Sequence, residues 1–136
     1  MIYTTCKVTI KNFEAKVERP IILYRGDKNV EVQFEIVESI YKQYKISEGN
    51  IINDLRASFG QLVILKPDGV AIFSEITNTL DGKVIFTIPP TLIDESDEVG
   101  EFTFQIRLFD ESQSSRVTLP PVEGGIILEE PIAIEE

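Results

Sequence analysis

The sequence has no histidine, no tryptophan and a single cysteine among its 136 residues. Without histidine, the chain lacks the commonest general base, the serine-histidine-aspartate triad and the commonest zinc ligand. Cys6 has no second cysteine to form an internal disulfide, and with no identifiable base beside it we expect a small, unreactive core residue. No two acidic residues stand out as a pair whose surroundings would give their carboxyl groups different pKa values, as acid–base catalysis requires. We therefore expect no enzymatic activity, no metal site and no cofactor.

Basic residues are also scarce: 13 Lys and Arg stand against 23 Asp and Glu, which gives a formal net charge of −10. Such a surface repels phosphate backbones, so we expect no nucleic-acid partner. No apolar run approaches the roughly 20 residues that span a bilayer, and the first residues do not form a basic segment followed by an apolar one. These patterns predict synthesis in the cytoplasm without a signal peptide, and no membrane association.

The middle of the chain contains two strong turn signals between apolar runs. Residues 62–65 lead into Lys-Pro-Asp-Gly at 66–69, where the proline and glycine fit the corners of a turn. Residues 70–77 then lead to Asp81-Gly82, a dipeptide typical of two-residue hairpin connections. A third strand is predicted at 83–88, and the two prolines that follow it end the pairing. We interpret this stretch as an antiparallel meander.

Strict alternation of apolar and polar residues predicts two further half-buried strands, at 30–36 and 102–108. Shorter strands are predicted at 6–10, as an edge strand, and at 21–24, 116–119 and 126–128. Residues 38–58 contain apolar residues without clear periodicity, and this segment is expected to be either a short helix with a loop or an irregular pair of strands.

These elements together predict an all-β fold. Seven to nine short strands with regularly spaced turns and no strong amphipathic helix are typical of an immunoglobulin-like antiparallel β-sandwich with one irregular insertion. We place the sandwich domain at residues 1–122, with the insertion at 38–58. Residues 123–136 are interpreted as a last edge strand and an acidic linker, which is compatible with a further C-terminal region.

Two short motifs have simple structural explanations. Arg25-Gly26-Asp27 spells the integrin-recognition tripeptide, but three-residue matches are frequent by chance, and a turn before the next strand explains these residues. The acidic residues 94–98 lack the ligand spacing of a calcium-binding loop, so a solvated loop is favoured. Neither motif predicts a binding site.

The apolar residues left over from the core pattern are the candidates for protein contacts. Tyr41 and Tyr44 lie in the irregular segment, and Ile126, Ile127 and Leu128 form the predicted last edge strand. Exposed strand edges and unburied apolar side chains are typical of interfaces.

The order of these features resembles the N-terminal domain of phage baseplate upper proteins, found in tailed phages of Gram-positive bacteria. The likeness covers most of residues 19–120. The residues that carry it are Arg25-Gly26-Asp27 before strand 30–36, strand 62–65 with its Lys-Pro-Asp-Gly turn, residues 82–89 with Leu92, and Gly100-Glu101-Phe102 at the start of strand 102–108.

The resemblance implies a non-enzymatic part of the virion, located at the phage tail tip. In that family the N-terminal domain attaches the protein to the tail tip, and a more distal region carries the receptor-binding protein. The implied partners are other baseplate proteins, namely the tail-tip hub and the receptor-binding protein, with a homo-oligomer in the full-length protein as a further implication. The alternative function is a carbohydrate-binding module for host cell-wall sugars, which would need an exposed aromatic platform.

Overall fold

The computed structural model describes residues 2–11, 14–27, 30–42, 45–54, 56–88 and 99–132. These residues form eleven strands and one turn of α-helix, in the order β1 (Ile2–Lys11), β2 (Glu14–Val17), β3 (Ile21–Tyr24), β4 (Val30–Lys42), β5 (Lys45–Asn50), α1 (Ile51–Asp54), β6 (Phe59–Leu65), β7 (Ala71–Leu80), β8 (Lys83–Thr87), β9 (Gly100–Phe109), β10 (Arg116–Thr118) and β11 (Val122–Glu129). Within these ranges no helix is long and apolar enough to cross a membrane.

The strands form two layers joined through β7. One layer has the order β2-β1-β4-β8, and the other has the order β6-β9-β11-β3, with β5 paired to β4 and β10 paired to β9. Strand β7 pairs with β6 along most of its length and with β8 through Thr79 and Leu80. The all-β, sandwich-like class predicted from the alternation is confirmed.

The pairing differs from a purely antiparallel sandwich in two places. Strand β1 runs parallel to β4, and β3 runs parallel to β11. A parallel neighbour requires a crossover, and here the chain leaves β1 through β2, visits the other layer as β3 and returns as β4. Alternation predicts which face a residue occupies but does not identify the neighbouring strand, so the sequence did not indicate these two pairs.

The core lies between the layers. Phe34 of β4 faces the second layer, where its ring centroid lies 5.1 Å from that of Phe104, and it also packs edge-on against Phe86 at 6.0 Å. All three side chains are almost completely buried. Cys6 is buried as expected, and its burial raises the pKa of the thiol to about 11. Cys6 therefore behaves as a core residue.

Both turns of the predicted meander are confirmed. In the first, the Gly69 amide donates to the Lys66 carbonyl oxygen at 2.8 Å, and the Val70 amide donates to a carboxylate oxygen of Asp68 at 2.9 Å. In the second, Asp81 and Gly82 both have positive φ, at 49° and 75°. Positive φ at both turn residues lets the two-residue hairpin match the right-handed twist of its strands.

Residues 38–58 combine the two alternatives left open by the sequence. Strand β4 continues to Lys42, and β5 pairs back along it before the single turn α1. Asn50 caps this turn: its side-chain oxygen accepts from the Ile52 amide at 3.0 Å, and its side-chain nitrogen donates to the Gly82 carbonyl at 2.8 Å. Ile51 and Ile52 are buried, so the turn closes one end of the core.

Two predicted edge strands are not at an edge. Strand β11 lies between β9 and β3, and the side chains of Ile126 and Leu128 are only 0% and 1% exposed. Strand β1 is flanked by β2, a short strand that the sequence pattern did not indicate. The expectation for residues 126–128 is thus corrected: β11 belongs to the sandwich as far as Glu129, and any linker begins after it.

Candidate protein-contact surface

The structure separates the five residues predicted to make protein contacts. Ile126 and Leu128 point into the core, so their apolar surface is not available to a partner. Ile127, between them, points outward and is half-buried. Tyr41 contributes its backbone to the β4–β5 pairing, but its side chain and the whole of Tyr44 lie outside the described residues. A contact role for Ile127, Tyr41 and Tyr44 stays a prediction.

Ile127 is part of a larger apolar surface on β3 and β11. Ile22 lies directly beside Ile127 in the parallel pair, and Tyr24 lies two residues further along β3 on the same face. Ile22 is 49% exposed and Tyr24 is 42% exposed. We call Ile22, Tyr24 and Ile127 the β3 patch. Neighbouring exposed apolar side chains of this kind are typical of protein interfaces.

Residues 21–24 carry a sequence signal for this patch. All four residues are apolar or aromatic, and in the structure Ile21 and Leu23 are buried while Ile22 and Tyr24 are exposed. A short strand that is apolar on both faces needs two covering partners, and the core supplies only one. The outer face of β3 is therefore the one that the core leaves exposed.

The backbone edge of β3 is closed at its Tyr24 end. The Arg25 amide donates to the Glu129 carbonyl at 2.9 Å, so alternate residues of β3 direct their backbone groups towards β11 and the others direct them outward. The outward amide of Tyr24 donates to Asp27 Oδ2 at 3.1 Å, and the Tyr24 carbonyl accepts from the Asp27 amide at 3.0 Å. Pro20, just before the strand, has no amide proton. Short edges closed in this way resist pairing with strands of other chains.

These contacts also explain the Arg-Gly-Asp tripeptide as a structural turn, as the sequence analysis favoured. Gly26 has a φ of 98°, which only glycine adopts easily. The Arg25 guanidinium forms an ion pair with Glu130 through its Nε atom, and Asp27 closes the strand edge. Both charged residues of the motif therefore have local structural partners.

The described grooves contain acidic residues that organise loops. The loop after β9 folds around Asp110, whose carboxylate accepts from the Ser115 amide at 3.0 Å and from the Ser114 hydroxyl at 3.0 Å. The bond from the Ser115 backbone is the main cause that lowers the pKa of Asp110. A general acid needs a raised carboxyl pKa, so the geometry at Asp110 fits loop organisation.

A second groove, of about 400 Å³, lies between β2 and the residues before β11 and is lined by Glu14, Ala15, Pro120, Pro121 and Glu123. Across the ranges that the structure describes, no three cysteine or acidic side chains are grouped as a metal site would require. The acidic residues 94–98, considered as a calcium loop, lie outside those ranges. The β3 patch, with its exposed apolar side chains, is the candidate site.

Comparisons with known proteins give a likeness among solved structures. No family model matches the chain, and no curated protein does. Among solved structures, the chain is similar to the N-terminal domain of phage TP901-1 ORF48, with a TM-score of 0.62 and 11% sequence identity. The two share a fold. The alignment covers 95% of this chain and 99% of the phage domain. The resemblance to a phage domain expected from the sequence is thus confirmed at the level of the fold.

Proposed function

We propose that this protein is a structural component of a phage tail baseplate that attaches a receptor-binding apparatus to the tail tip. The observation that carries the proposal is the fold shared with the N-terminal domain of a phage protein over nearly the whole of both chains. The turn and strand motifs that resemble phage baseplate upper proteins point in the same direction. Its location would then be the tail tip of the virion.

The chemistry of the described side chains supports a non-enzymatic role. The chain lacks histidine, its one thiol is buried with a raised pKa, and the carboxylate of Asp110 is held by hydrogen bonds from its own loop. These groups are arranged for stability. A scaffold needs a rigid core and exposed contact surfaces, and the sandwich provides both.

The β3 patch is the surface that we propose for binding the tail tip. Ile22 and Tyr24 present apolar area on a strand whose backbone edge is closed at Tyr24 by Asp27. We propose that a partner packs on the face of the strand through side chains. Tyrosine and isoleucine on a flat face, with Glu129 and Glu130 at the margin, form the apolar centre and polar rim typical of such contacts.

The test is binding of the purified chain to each purified tail protein encoded beside it in its genome. We expect the hub protein to bind. The Ile22→Ser, Tyr24→Ser double variant should bind roughly 10-fold or more weakly, since truncating central apolar residues of an interface costs more than 1 kcal/mol each. The control is Val70→Ser, which removes a similarly exposed apolar side chain in the turn after β6.

Two results would count against the proposal. Purified virions that lack this chain by mass spectrometry would exclude a structural role in the tail. A chain that binds no tail protein but binds cell-wall sugars on a glycan array would instead favour the carbohydrate-binding alternative, for which Tyr24 is the exposed aromatic residue in the described part of the chain.

A further inference from the structure

A second exposed face lies on β6, β9 and β10, on the outer side of the same layer as the β3 patch. In these strands alternate residues such as Leu62, Ile106 and Leu108 are buried in the core, so their neighbours point outward. Two rows cross the face: Gln61 lies beside Arg107, and Phe59 lies beside Phe109. The Arg107 face comprises these outward residues and two on the flanking strands: Phe59, Gln61, Ile76, Arg107, Phe109 and Arg116.

Among the described residues, the guanidinium at the centre of this face has no ion-pair partner. Arg107 is half-buried, and its Nε atom is buried without a hydrogen-bond partner. The ion pairs of the described residues are Lys16 with Glu14, Arg25 with Glu130 and Lys66 with Asp68, so neither Arg107 nor Arg116 belongs to one. A partly desolvated charge without a partner is unfavourable. The chain has ten more acidic than basic residues, so a basic side chain without an acidic partner is unexpected.

The direct cross-strand neighbours of Arg107 are polar, namely Gln61 and Thr118, and apolar side chains lie beyond them. Phe59 and Phe109 form a half-buried cross-strand pair in the next row, and Ile76, which continues the row of Gln61 on β7, is 57% exposed. Arginine among aromatic and aliphatic side chains is the composition typical of interface centres. The nearest acidic residue along β9, Asp110, is already held by the serines of its own loop.

The charges also indicate the kind of occupant. The six side chains of the Arg107 face include two cations and no carboxylate, so a two-fold contact between copies would bring arginine against arginine. It would also bring together two molecules that each carry a net charge of −10. A different protein that presents a carboxylate resolves both problems. A charge-assisted hydrogen bond from the guanidinium would then be formed where water is excluded.

We propose that the Arg107 face docks a second tail protein, which places an aspartate or glutamate against Arg107 between apolar side chains. This inference rests on the proposed function. It adds a contact separate from the β3 patch: Ile127 lies beside Glu101, six residues before Arg107 on β9, which is about 20 Å along an extended strand. Two separate surfaces are what a connector between two proteins requires.

The experiment measures the affinity of the full chain for each purified tail protein encoded beside it, at low and high salt. For one of these proteins we expect Arg107→Met to raise Kd roughly 10- to 100-fold, as for a desolvated interface charge. Arg107→Lys should recover part of the loss. Arg19→Met is the matched control, because Arg19 is exposed before β3 and its loss should change Kd by less than about 3-fold. Thermal unfolding checks that each variant is folded, and Ile76→Ser tests the same face independently.

The outcomes separate the two proposals. If the wild-type chain binds no tail protein, the proposed function fails and this inference fails with it. If tail proteins bind but neither Arg107→Met nor Ile76→Ser weakens any of them, the inference is overturned and the proposed function stands. If the chain self-associates and Arg107→Met abolishes this, the occupant is a second copy, which overturns the assignment to a different protein. Restored binding of Arg107→Glu to a partner variant with lysine at the matching acidic position supports it directly.

Discussion

The substitution Gly125→Ala tests whether β11 is part of the core. A Cβ atom at position 125 would lie 2.6 Å from Phe104 Cδ2 and 2.8 Å from Val122 Cγ1, and it would also collide with Phe104 Cε2. Neither neighbour is the flexible end of a long side chain. Gly125 is not among the residues with positive φ, so alanine has no backbone strain there, and the effect isolates the steric contact.

Two opposing terms give the expected magnitude. Alanine restricts the unfolded chain more than glycine does, which stabilises the fold by roughly 0.5–1 kcal/mol. Overpacking of a filled core costs roughly 1–3 kcal/mol. The clash should therefore dominate, and the free energy of unfolding should fall by about 1–2 kcal/mol. For a domain of this length, that corresponds to a melting temperature lower by about 3–10 °C.

Urea unfolding followed by circular dichroism measures this change, with an unchanged m-value as the sign that the fold is intact. The control is the double variant Gly125→Ala, Phe104→Leu, in which the smaller side chain leaves room for the methyl group. Its loss of stability should be smaller than the sum of the two single losses by about 1 kcal/mol. A Gly125→Ala variant as stable as the wild type would refute the packing of β11 against β9.

Three further predictions concern the other structural assignments. Truncation after Val122 should abolish cooperative folding, because it removes the buried side chains of Ile126 and Leu128 and exposes β9. Each of these side chains contributes roughly 1.5–3 kcal/mol by its burial. An NMR amide spectrum that shows a folded truncated chain would contradict this prediction. Asn50→Ala should lower the free energy of unfolding by about 0.5–2 kcal/mol through loss of the cap of α1. Asn50→Asp should keep the cap through its accepting oxygen but lose the bond to the Gly82 carbonyl. The Ser115 amide lowers the pKa of Asp110 from its ordinary 3.8. The contribution of this carboxylate to stability should therefore be present above pH 4 and lost as the pH falls below that value. The melting temperature of Asp110→Asn should lack this pH-dependent component, and identical pH profiles for the variant and the wild type would contradict the assignment.

Local rules were sufficient for the turns and for the strand faces. Pro67 and Gly69 fit their turn positions, and Asp81-Gly82 takes the positive φ values that its hairpin requires. The alternation around Phe34 and Phe104 predicted the two side chains that meet across the core. In each case the physical cause acts within a few residues, so the sequence contains it directly.

The order in which the strands pair could not be predicted from the sequence in the same way, because it depends on contacts between distant segments. Residues 126–128 form an apolar run before an acidic tail, which is the pattern of an edge strand. The partner that makes β11 internal is β3, about 100 residues earlier in the chain, and it pairs in parallel. The same pairing creates the β3 patch, since Ile22 and Ile127 meet only when the two strands are neighbours. The candidate surface was therefore predicted at Ile127 and missed at Ile22 and Tyr24.

The short edge of β3 limits how such a protein can assemble. An open edge would accept any extended strand, including one from another copy, and a contact of that kind can repeat without limit. Here Asp27 binds the outward amide of Tyr24, and the absence of an amide proton at Pro20 removes another donor, so few outward backbone groups remain. We expect binding to rely mainly on side chains, namely the apolar β3 patch and the cationic Arg107 face. Because these surfaces differ in chemistry and lie at opposite ends of β9, each should select a different partner, and salt should weaken only the contact that uses Arg107.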